Sequence, residues 1–459
     1  MLGLTGNDEN TRILKHGQKR TKSLTTFQIL ALGLSSIILV GTLLLLIPGS
    51  TAPGYSTDFL TALFTATSAT CLTGLVVVDT GTHWSIWGQA IILFLIQLGG
   101  LGFMTVFSLI AIMLGRTIGL RERLVIQQSL NQVTIEGIIR LVRYVAAFSF
   151  AIEGTFAIVL IAKFLPDMPM GQAVWFGVFH AVSAFNNAGF DLFGNFASMT
   201  AFHSDPVITL SITTMVILGG LGFTVLADIH QQRNFRKLSL HSKLVLTVTG
   251  VLVATGTLII FIMEYNNALR ELSPMGKILA SYFQAVTPRS SGFVTISMNE
   301  LGLSTQFFMI ILMFIGAGPG STGGGIKVTT FAVMILMVLA LAKNKEDVTV
   351  YNRRLPREQI NKSLAITLLA FAWITILTMI LTITENADFM TILFEAVSAS
   401  AIVGLSLGLT PELSDPGKVL VTISMFAGRI GPLTLAFALA QKVKRKQGIR
   451  YPEEPLLIG

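Results

Sequence analysis

Four short segments built on one pattern constrain this chain more than any other feature. They read FTATSATCLTGL (64–75), FHAVSAFNNAGF (179–190), FQAVTPRSSGF (283–293) and FEAVSASAIVGL (394–405). Each opens on Phe and closes on Gly followed by Leu or Phe. The closing glycines, Gly74, Gly189, Gly292 and Gly404, lie 115, 103 and 112 residues apart, and the third copy is one residue shorter before its glycine. Self-similarity at a fixed period reads as one structural unit repeated, here four times.

What surrounds these segments identifies the solvent. Span-length apolar runs lie at 27–48, 84–114, 141–163, 206–229, 243–263, 306–341, 362–384 and 417–440, a pair around each short segment. A bilayer core of ~30 Å takes about 20 helical residues. The 27–48 run is too long for a signal-peptide core and has no small-residue cleavage signature after it, so it reads as a retained first span. The chain is 52% apolar and 12% charged, with mean hydropathy +0.72. Soluble domains carry about 25% charged residues. A soluble globule, a nucleic-acid binder and a disordered chain are excluded. The lone Cys71 makes no internal disulfide, zinc or redox motif and reads as core filling.

The net charge of +8 is a topology signal. Of 32 basic residues, 25 fall in the N-terminal tail, 115–143, 230–243, 342–362 and the tail after 441. By the positive-inside rule these segments are cytoplasmic, with both termini inside, as an even span count requires. About fourteen acidic residues fall in outward or membrane segments, a bias that concentrates cations at an outer mouth.

Each pre-glycine segment offers about 12 helical residues, ~18 Å, so it enters the membrane and turns back. Non-helical backbone at that depth is tolerated only when buried in protein or lining a watery cavity. Four copies around one axis enclose such a cavity. Glycine at the turn lets carbonyls face inward in place of a cation's hydration shell, and each short helix aims its partly negative C-terminus at the axis. The expectation is a monovalent-cation filter with Gly74, Gly189, Gly292 and Gly404 at the ion. Close helix packing through small residues is the plain alternative.

The 306–341 run would be ~54 Å long as one helix, far more than a bilayer needs. Its centre, GAGPGSTGGGIK (316–327), has six glycines and Pro319, which disfavour continuous helix. A flexible break is expected, 24 residues beyond Gly292 and below the filter, where a movable segment obstructs ions. A passive kink is the alternative. A phosphate-binding loop fits poorly, because Ile326 stands where lysine should follow Gly325. Arg429, in MFAGRIGPL, falls mid-span and must face protein or water. Two compatible roles are open: a pore charge that raises the barrier to cations, or an anchor pairing with loop carbonyls. Lys327 is expected to snorkel toward the cytoplasm. Asn186 and Asn187 line the second loop or tie its backbone, and Arg289 braces the third loop from behind.

With those residues in view, SATCLTGL, SAFNNAGF, TPRSSGF and SASAIVGL resemble the loops of the Trk/Ktr/HKT potassium-uptake superfamily over essentially the whole chain. Starting directly at its first span, the chain is most similar to the KtrB branch, membrane subunits of bacterial Ktr systems. The resemblance implies an all-α polytopic membrane protein of eight transmembrane helices, in four span–pore helix–filter loop–span repeats around a central pore. It implies a selectivity filter at Thr73, Gly74, Ala188, Gly189, Ser291, Gly292, Val403 and Gly404. It carries an intramembrane gating loop onto Gly316, Gly318, Gly320, Ser321, Thr322, Gly323, Gly324 and Gly325, with Arg429 beside it in the pore. Some relatives carry serine at the first filter glycine and favour sodium; Gly74 makes potassium the expected ion. The implied assembly is a homodimer in the bacterial plasma membrane, seated on a cytoplasmic, RCK-like, nucleotide-binding ring of the KtrA/KtrC type. Nucleotide belongs to that ring; this chain needs no covalent cofactor.

The expected units are a cytoplasmic tail (1–26), repeat 1 (27–114), a linker (115–140), repeat 2 (141–229), a linker (230–242), repeat 3 (243–341) with the gating loop 316–325, a linker (342–361), repeat 4 (362–441) and a C-terminal tail (442–459). Leu456, Leu457 and Ile458 suit a subunit interface. Two other functional classes remain in view. A sodium- or proton-coupled transporter would usually show two repeats rather than four. An intramembrane enzyme has no support, since the six histidines form no metal-binding pair on a helical face and no nucleophile motif occurs. A sodium-permeable channel and a scaffold using Asp228, Arg233, Arg236 and Lys237 complete the alternatives.

Overall fold

The computed structural model describes residues 26–102 and 138–431, with a few positions between. The N-terminal tail, most of the first linker, the end of repeat 4 and the C-terminal tail with Leu456, Leu457 and Ile458 lie outside the described residues. The described chain is helical apart from a two-stranded hairpin, Thr349–Val350 with Arg353–Arg354.

Four helices are long and apolar enough to cross a bilayer by themselves: Thr26–Leu45, Ile138–Phe164, Leu240–Glu264 and Arg357–Thr384. Apolar residues on their outer faces, among them Leu39, Ile262, Phe371 and Ile383, are exposed. Such faces are stable only in hydrocarbon. A short helix follows each: Phe59–Cys71, Met170–Phe185, Pro274–Val286 and Phe389–Ala401. Asp58, Ser273 and Asp388 cap three of these by accepting first-turn N–H groups. The opening phenylalanines of the repeated pattern, Phe64, Phe179, Phe283 and Phe394, are all buried, which explains their recurrence.

The third member of each group is not one continuous helix; the sequence leads one to expect a break in 306–341 and in none of the other three. The runs 84–114, 206–229, 306–341 and 417–440 contain helices of only 12 to 16 residues before a break: Ile86–Leu101, Pro206–Leu221, Leu303–Phe314 and Asp415–Ile430. Gly102, Gly222 and Gly431 stand at three of the breaks with φ of 75°, 98° and 90°. That region of backbone space is open to glycine and costly for other residues. After Gly222 the helix Phe223–Gln232 leaves at 96° to its predecessor. Hydropathy could not reveal these turns, because a glycine with positive φ leaves an apolar run unbroken on paper. The third group breaks at Ile315 and resumes only at Val328–Ala342. By length and composition the described residues therefore contain four spans, or five with the bent pair counted as one.

Glycines also set how these helices pack. A side chain at Gly99, Gly219 or Gly428 would collide with the carbonyl of Thr70, Phe185 or Ser400, each at the C-terminal end of the neighbouring short helix. Small-residue packing thus accompanies the repeated pattern. At the opposite end of each group, polar contacts tie the long helix to the start of the broken one. Ser85 N–H donates to Ser50 O at 3.0 Å, and Lys163 pairs with Asp205 at 2.7 Å. Partial burial pulls the Asp205 carboxyl up, but Lys163 and the N–H groups of Val207 and Ile208 together hold it below its ordinary range. Glu264 accepts from Gly302 N–H at 3.0 Å and Asn267 Nδ2 at 2.7 Å. Glu385 accepts from Ser414 N–H at 2.9 Å.

Glu264 is buried, so truncating it strands the Gly302 N–H and leaves the Asn267 amide with Glu300 O alone. Glu264→Ala is expected to lower stability by about 1–3 kcal/mol, read as a fall in thermal midpoint of the detergent-solubilised protein. Glu264→Gln, which keeps an acceptor for Gly302, should lose less. Equal midpoints for all three proteins would show that this carboxylate does not hold the helix ends together.

Candidate functional site: a ring of four glycine turns

The four short helices end three to six residues before their glycines, at Cys71, Phe185, Val286 and Ala401. Each is followed by a residue in the left-handed region: Leu72 (φ 63°), Asn187 (56°), Ser290 (77°) and Ile402 (49°). Two residues further on stand Gly74 (88°), Gly189 (72°), Gly292 (75°) and Gly404 (92°). The turn therefore repeats in backbone conformation as well as in sequence.

Contacts among the turns close a ring. A Cβ on Gly74 would lie 2.6 Å from Ala188 O and 3.1 Å from the Gly189 Cα. One on Gly189 would lie 2.8 Å from Ser291 O and 2.9 Å from the Gly292 Cα. One on Gly292 would lie 3.0 Å from Val403 O, and one on Gly404 would collide with Thr73 O and sit 3.1 Å from the Gly74 Cα. All eight residues expected at the filter meet here, in the order 74, 189, 292, 404 and back to 74. No side chain fits at any of the four glycines without displacing a carbonyl of the next turn.

Hydroxyl side chains fix the turns, a feature the sequence reading missed. Ser68 and Ser398, six residues before their glycines, accept from the Gly74 and Gly404 N–H groups, each at 3.1 Å. Ser183, also six before, donates to Phe190 O at 2.7 Å, and Thr287, five before, donates to Phe293 O at 2.5 Å. The one-residue shift in the third copy matches its shorter segment. These Ser and Thr positions are visible in the repeated pattern (SAT, SAF, TPR, SAS) and signal turn clamps.

On one side the ring opens into a cavity of 1080 Å³ lined by all four glycines. Asp79, Asp191, Glu271, Glu300 and Glu412 also line it, against Arg270 and His203. This acidic surplus attracts cations to the mouth.

On the other side lies the segment 315–327. It doubles back on itself: Gly316 N–H donates to Ile326 O at 2.9 Å and Ala317 N–H to Gly324 O at 3.1 Å. It crosses to the second broken helix, where Gly318 N–H donates to Gly220 O at 2.7 Å and Phe223 N–H to Gly320 O at 3.1 Å. It also rests on the turns above. Gly324 N–H donates to Ser290 Oγ at 3.0 Å, and that hydroxyl donates to Ile402 O at 2.6 Å. Gly324 packs against the Ile402 side chain, and a Cβ on Gly323 would lie 3.1 Å from the Ser290 Cβ. Thr322 is buried, and Ser321 Oγ donates to Gly318 O at 2.6 Å.

Arg429 joins three parts of the chain. Its Nη1 donates to Thr322 O at 2.7 Å, and its Nη2 donates to Gly99 O in the first broken helix. Of the two roles open from the sequence, the carbonyl anchor is thus present in the geometry. Lys327 differs from expectation. Instead of reaching toward water it turns back, its Nζ donating to Gly323 O at 2.7 Å, because that acceptor lies within reach of the half-buried ammonium. Asn186 sits outside the ring, donating to Glu153 at 2.9 Å and Gln97 at 3.0 Å. Arg289 is buried and points away to Thr249 Oγ1 at 3.1 Å, behind the third turn.

The family described as TrkH, cation transport protein, matches residues 10–447. The chain belongs to the TrkH cation transport family. It is 44% identical over 434 residues to the Ktr system potassium uptake protein B of Bacillus subtilis, covering 94% of this chain and 96% of that one. It is 38% identical over 437 residues to the protein of the same name from Vibrio alginolyticus, covering 94% of each. It is 35% identical over 444 residues to the potassium/sodium uptake protein NtpJ of Enterococcus hirae, covering 95% of this chain and 98% of that one. The crystal structure of the potassium transporter TrkH from Vibrio parahaemolyticus shares its fold, with a TM-score of 0.74 at 18% identity over 93% of this chain and 87% of that one. A TrkH-family chain is a transport protein and not an enzyme.

A ring on the ion path of a TrkH-family protein would tie flux to its glycines. Gly404→Ala places a methyl against Thr73 O at a φ of 92°. Such backbone strain costs about 1–2 kcal/mol in non-glycine residues before any steric term. Cation uptake into liposomes should fall about tenfold or more, since 1.4 kcal/mol is already tenfold. Gly250→Ala, at a helical position with nothing within 4 Å and no positive φ, should leave uptake unchanged. Equal uptake by both variants would remove the ring from the ion path.

Proposed function

We propose that this chain is the potassium-translocating membrane subunit of a Ktr-type uptake system. The closed ring of four glycine turns between an acidic cavity and a backbone plug carries this reading. Main-chain oxygens of Thr73, Ala188, Ser291 and Val403 with those of Gly74, Gly189, Gly292 and Gly404 form the selectivity filter and replace the water around potassium. The names of the relatives from Bacillus subtilis and Vibrio alginolyticus support potassium as the ion. The name of the Enterococcus hirae relative, a potassium/sodium uptake protein, keeps sodium passage or sodium coupling as the second reading.

The fold is completed as eight transmembrane helices in four repeats, with the boundaries 27–114, 141–229, 243–341 and 362–441, each broken helix counting as a span. Both termini and the basic linkers 115–140, 230–242 and 342–361 face the cytoplasm. The protein acts in the bacterial plasma membrane as a homodimer on a nucleotide-binding ring of the KtrA/KtrC type.

Gly316 through Gly325 form the gate. Fixed on Ser290, Gly220 and Gly219, the segment blocks ions below the filter in the closed state, and Arg429 latches it through Thr322 O. The guanidinium adds a positive charge in the path, which raises the barrier to cations. Opening requires the latch bonds to break.

Rubidium uptake into liposomes containing the purified chain tests the ion. Uptake suppressed by external potassium and untouched by an equal concentration of sodium supports potassium translocation. Equal suppression by sodium supports the second reading, and uptake that requires a sodium gradient supports coupling. Arg429→Ser, which removes both carbonyl contacts and the charge, should raise rubidium uptake about tenfold, the effect of 1.4 kcal/mol on the closed state. Unchanged uptake in a folded variant would leave Arg429 as a structural anchor alone.

A further inference from the structure

The residue after each buried phenylalanine of the repeat occupies the same helical position: Thr65, His180, Gln284 and Glu395. All four are buried. Three of them reach past the ring to the chain that leaves it. His180 Nε2 accepts from Leu192 N–H at 3.3 Å, three residues beyond Gly189. Gln284 Nε2 donates to Ile296 O at 3.0 Å, four beyond Gly292. Glu395 accepts from Ser406 Oγ at 2.7 Å, two beyond Gly404, and from Thr410 Oγ1 with its other oxygen. The Thr65 hydroxyl is too short to make such a reach and has no partner among the described residues.

The fourth tie is the most demanding. Glu395 is 0% exposed, and the groups that meet its carboxylate are two neutral hydroxyls. Burying a carboxylate is costly unless hydrogen bonds hold it, so losing either hydroxyl leaves it under-satisfied. Ser406 Oγ also accepts from Gly408 N–H at 3.0 Å, so the carboxylate organises the whole stretch from Gly404 to Thr410. Gly404, Ser406, Gly408 and Thr410 all line the acidic cavity. Sequence alone hides this arrangement: one glutamate in an apolar segment reads as a stray charge until its two hydroxyl partners are found.

We infer that Glu395 is a positioning residue for ion selection, holding the exit of the fourth turn through Ser406 and Thr410 and thereby fixing the fourth side of the glycine ring. It touches no ion and acts through those hydroxyls. This inference rests on the ring being the filter. Removing the clamp frees the segment after Gly404, so the ring adapts to the smaller sodium ion and discrimination falls while passage continues.

The test measures rubidium uptake into liposomes with potassium or sodium as competitor, for the full chain and three variants, each first shown to be monodisperse with a cooperative thermal transition. Glu395→Ala and the double variant Ser406→Ala/Thr410→Ala should narrow the ratio of sodium to potassium needed for half-inhibition by about tenfold. Glu395→Gln keeps one acceptor and one donor for two hydroxyls that accept either role, and should stay within about twofold of the parent. A parental ratio in the double variant overturns the inference, and so does a parental ratio in folded Glu395→Ala. A Glu395→Gln ratio as poor as that of Glu395→Ala also overturns it, because charge rather than the clamp would then be responsible. If Glu395→Ala does not fold, the double variant decides alone. Failure of the filter reading looks different: Gly404→Ala would then leave uptake at the parental level.

Discussion

Backbone held against backbone, without side chains between, is the constraint on which this structure depends. Four turns approach so closely that each glycine faces a carbonyl of the next, and positive φ at every one of them excludes other residues at low cost. Such proximity of bare peptide groups inside an apolar molecule is tolerated only when the remaining polar atoms are satisfied. The hydroxyls of Ser68, Ser183, Thr287 and Ser398 do that locally, each on, or at the C-cap of, the helix that delivers its own turn. The helices are in turn fixed by buried phenylalanines and by glycines of the broken helices pressed against their ends. Ring geometry therefore follows from packing several layers away.

The segment 315–327 beneath the ring uses the same device with the opposite outcome. Its glycines also allow close approach, but its hydrogen bonds are shared among three other parts of the chain rather than kept within one turn. A segment held by contacts to separate elements loses them together when those elements shift, whereas a turn clamped to its own helix moves as one body. Under the proposed function, this difference would suit one element to selection and the other to movement. The two half-buried cations Arg429 and Lys327 each donate to a carbonyl of the 315–327 segment, so their charge is tied to that segment's position.

Much of this was legible in the amino-acid order. The four glycines, the phenylalanines ten or nine residues before them and the glycine-rich break at 316–325 stand out as letters, because each answers a local need that recurs. Three features did not. The breaks at Gly102, Gly222 and Gly431 are invisible to hydropathy, which records polarity and not backbone conformation. Lys327 turns to Gly323 O because an acceptor happens to be near, which no window of sequence reports. Glu395 gains meaning only from Ser406 and Thr410, eleven and fifteen residues away and brought back by the turn.

Sequence by itself determined that the chain suits a bilayer, that one Phe-to-Gly pattern recurs four times and that each copy ends at a glycine, since apolar length, charge placement and the need for positive φ are local properties. Only the tertiary structure decided that the four turns meet edge to edge, which broken helix the segment 315–327 bonds, and where Arg429 ends. Those outcomes join residues as far apart as Gly99 and Arg429, and such pairings are set by how helices of fixed length and small-residue faces pack, which no single stretch of the chain contains.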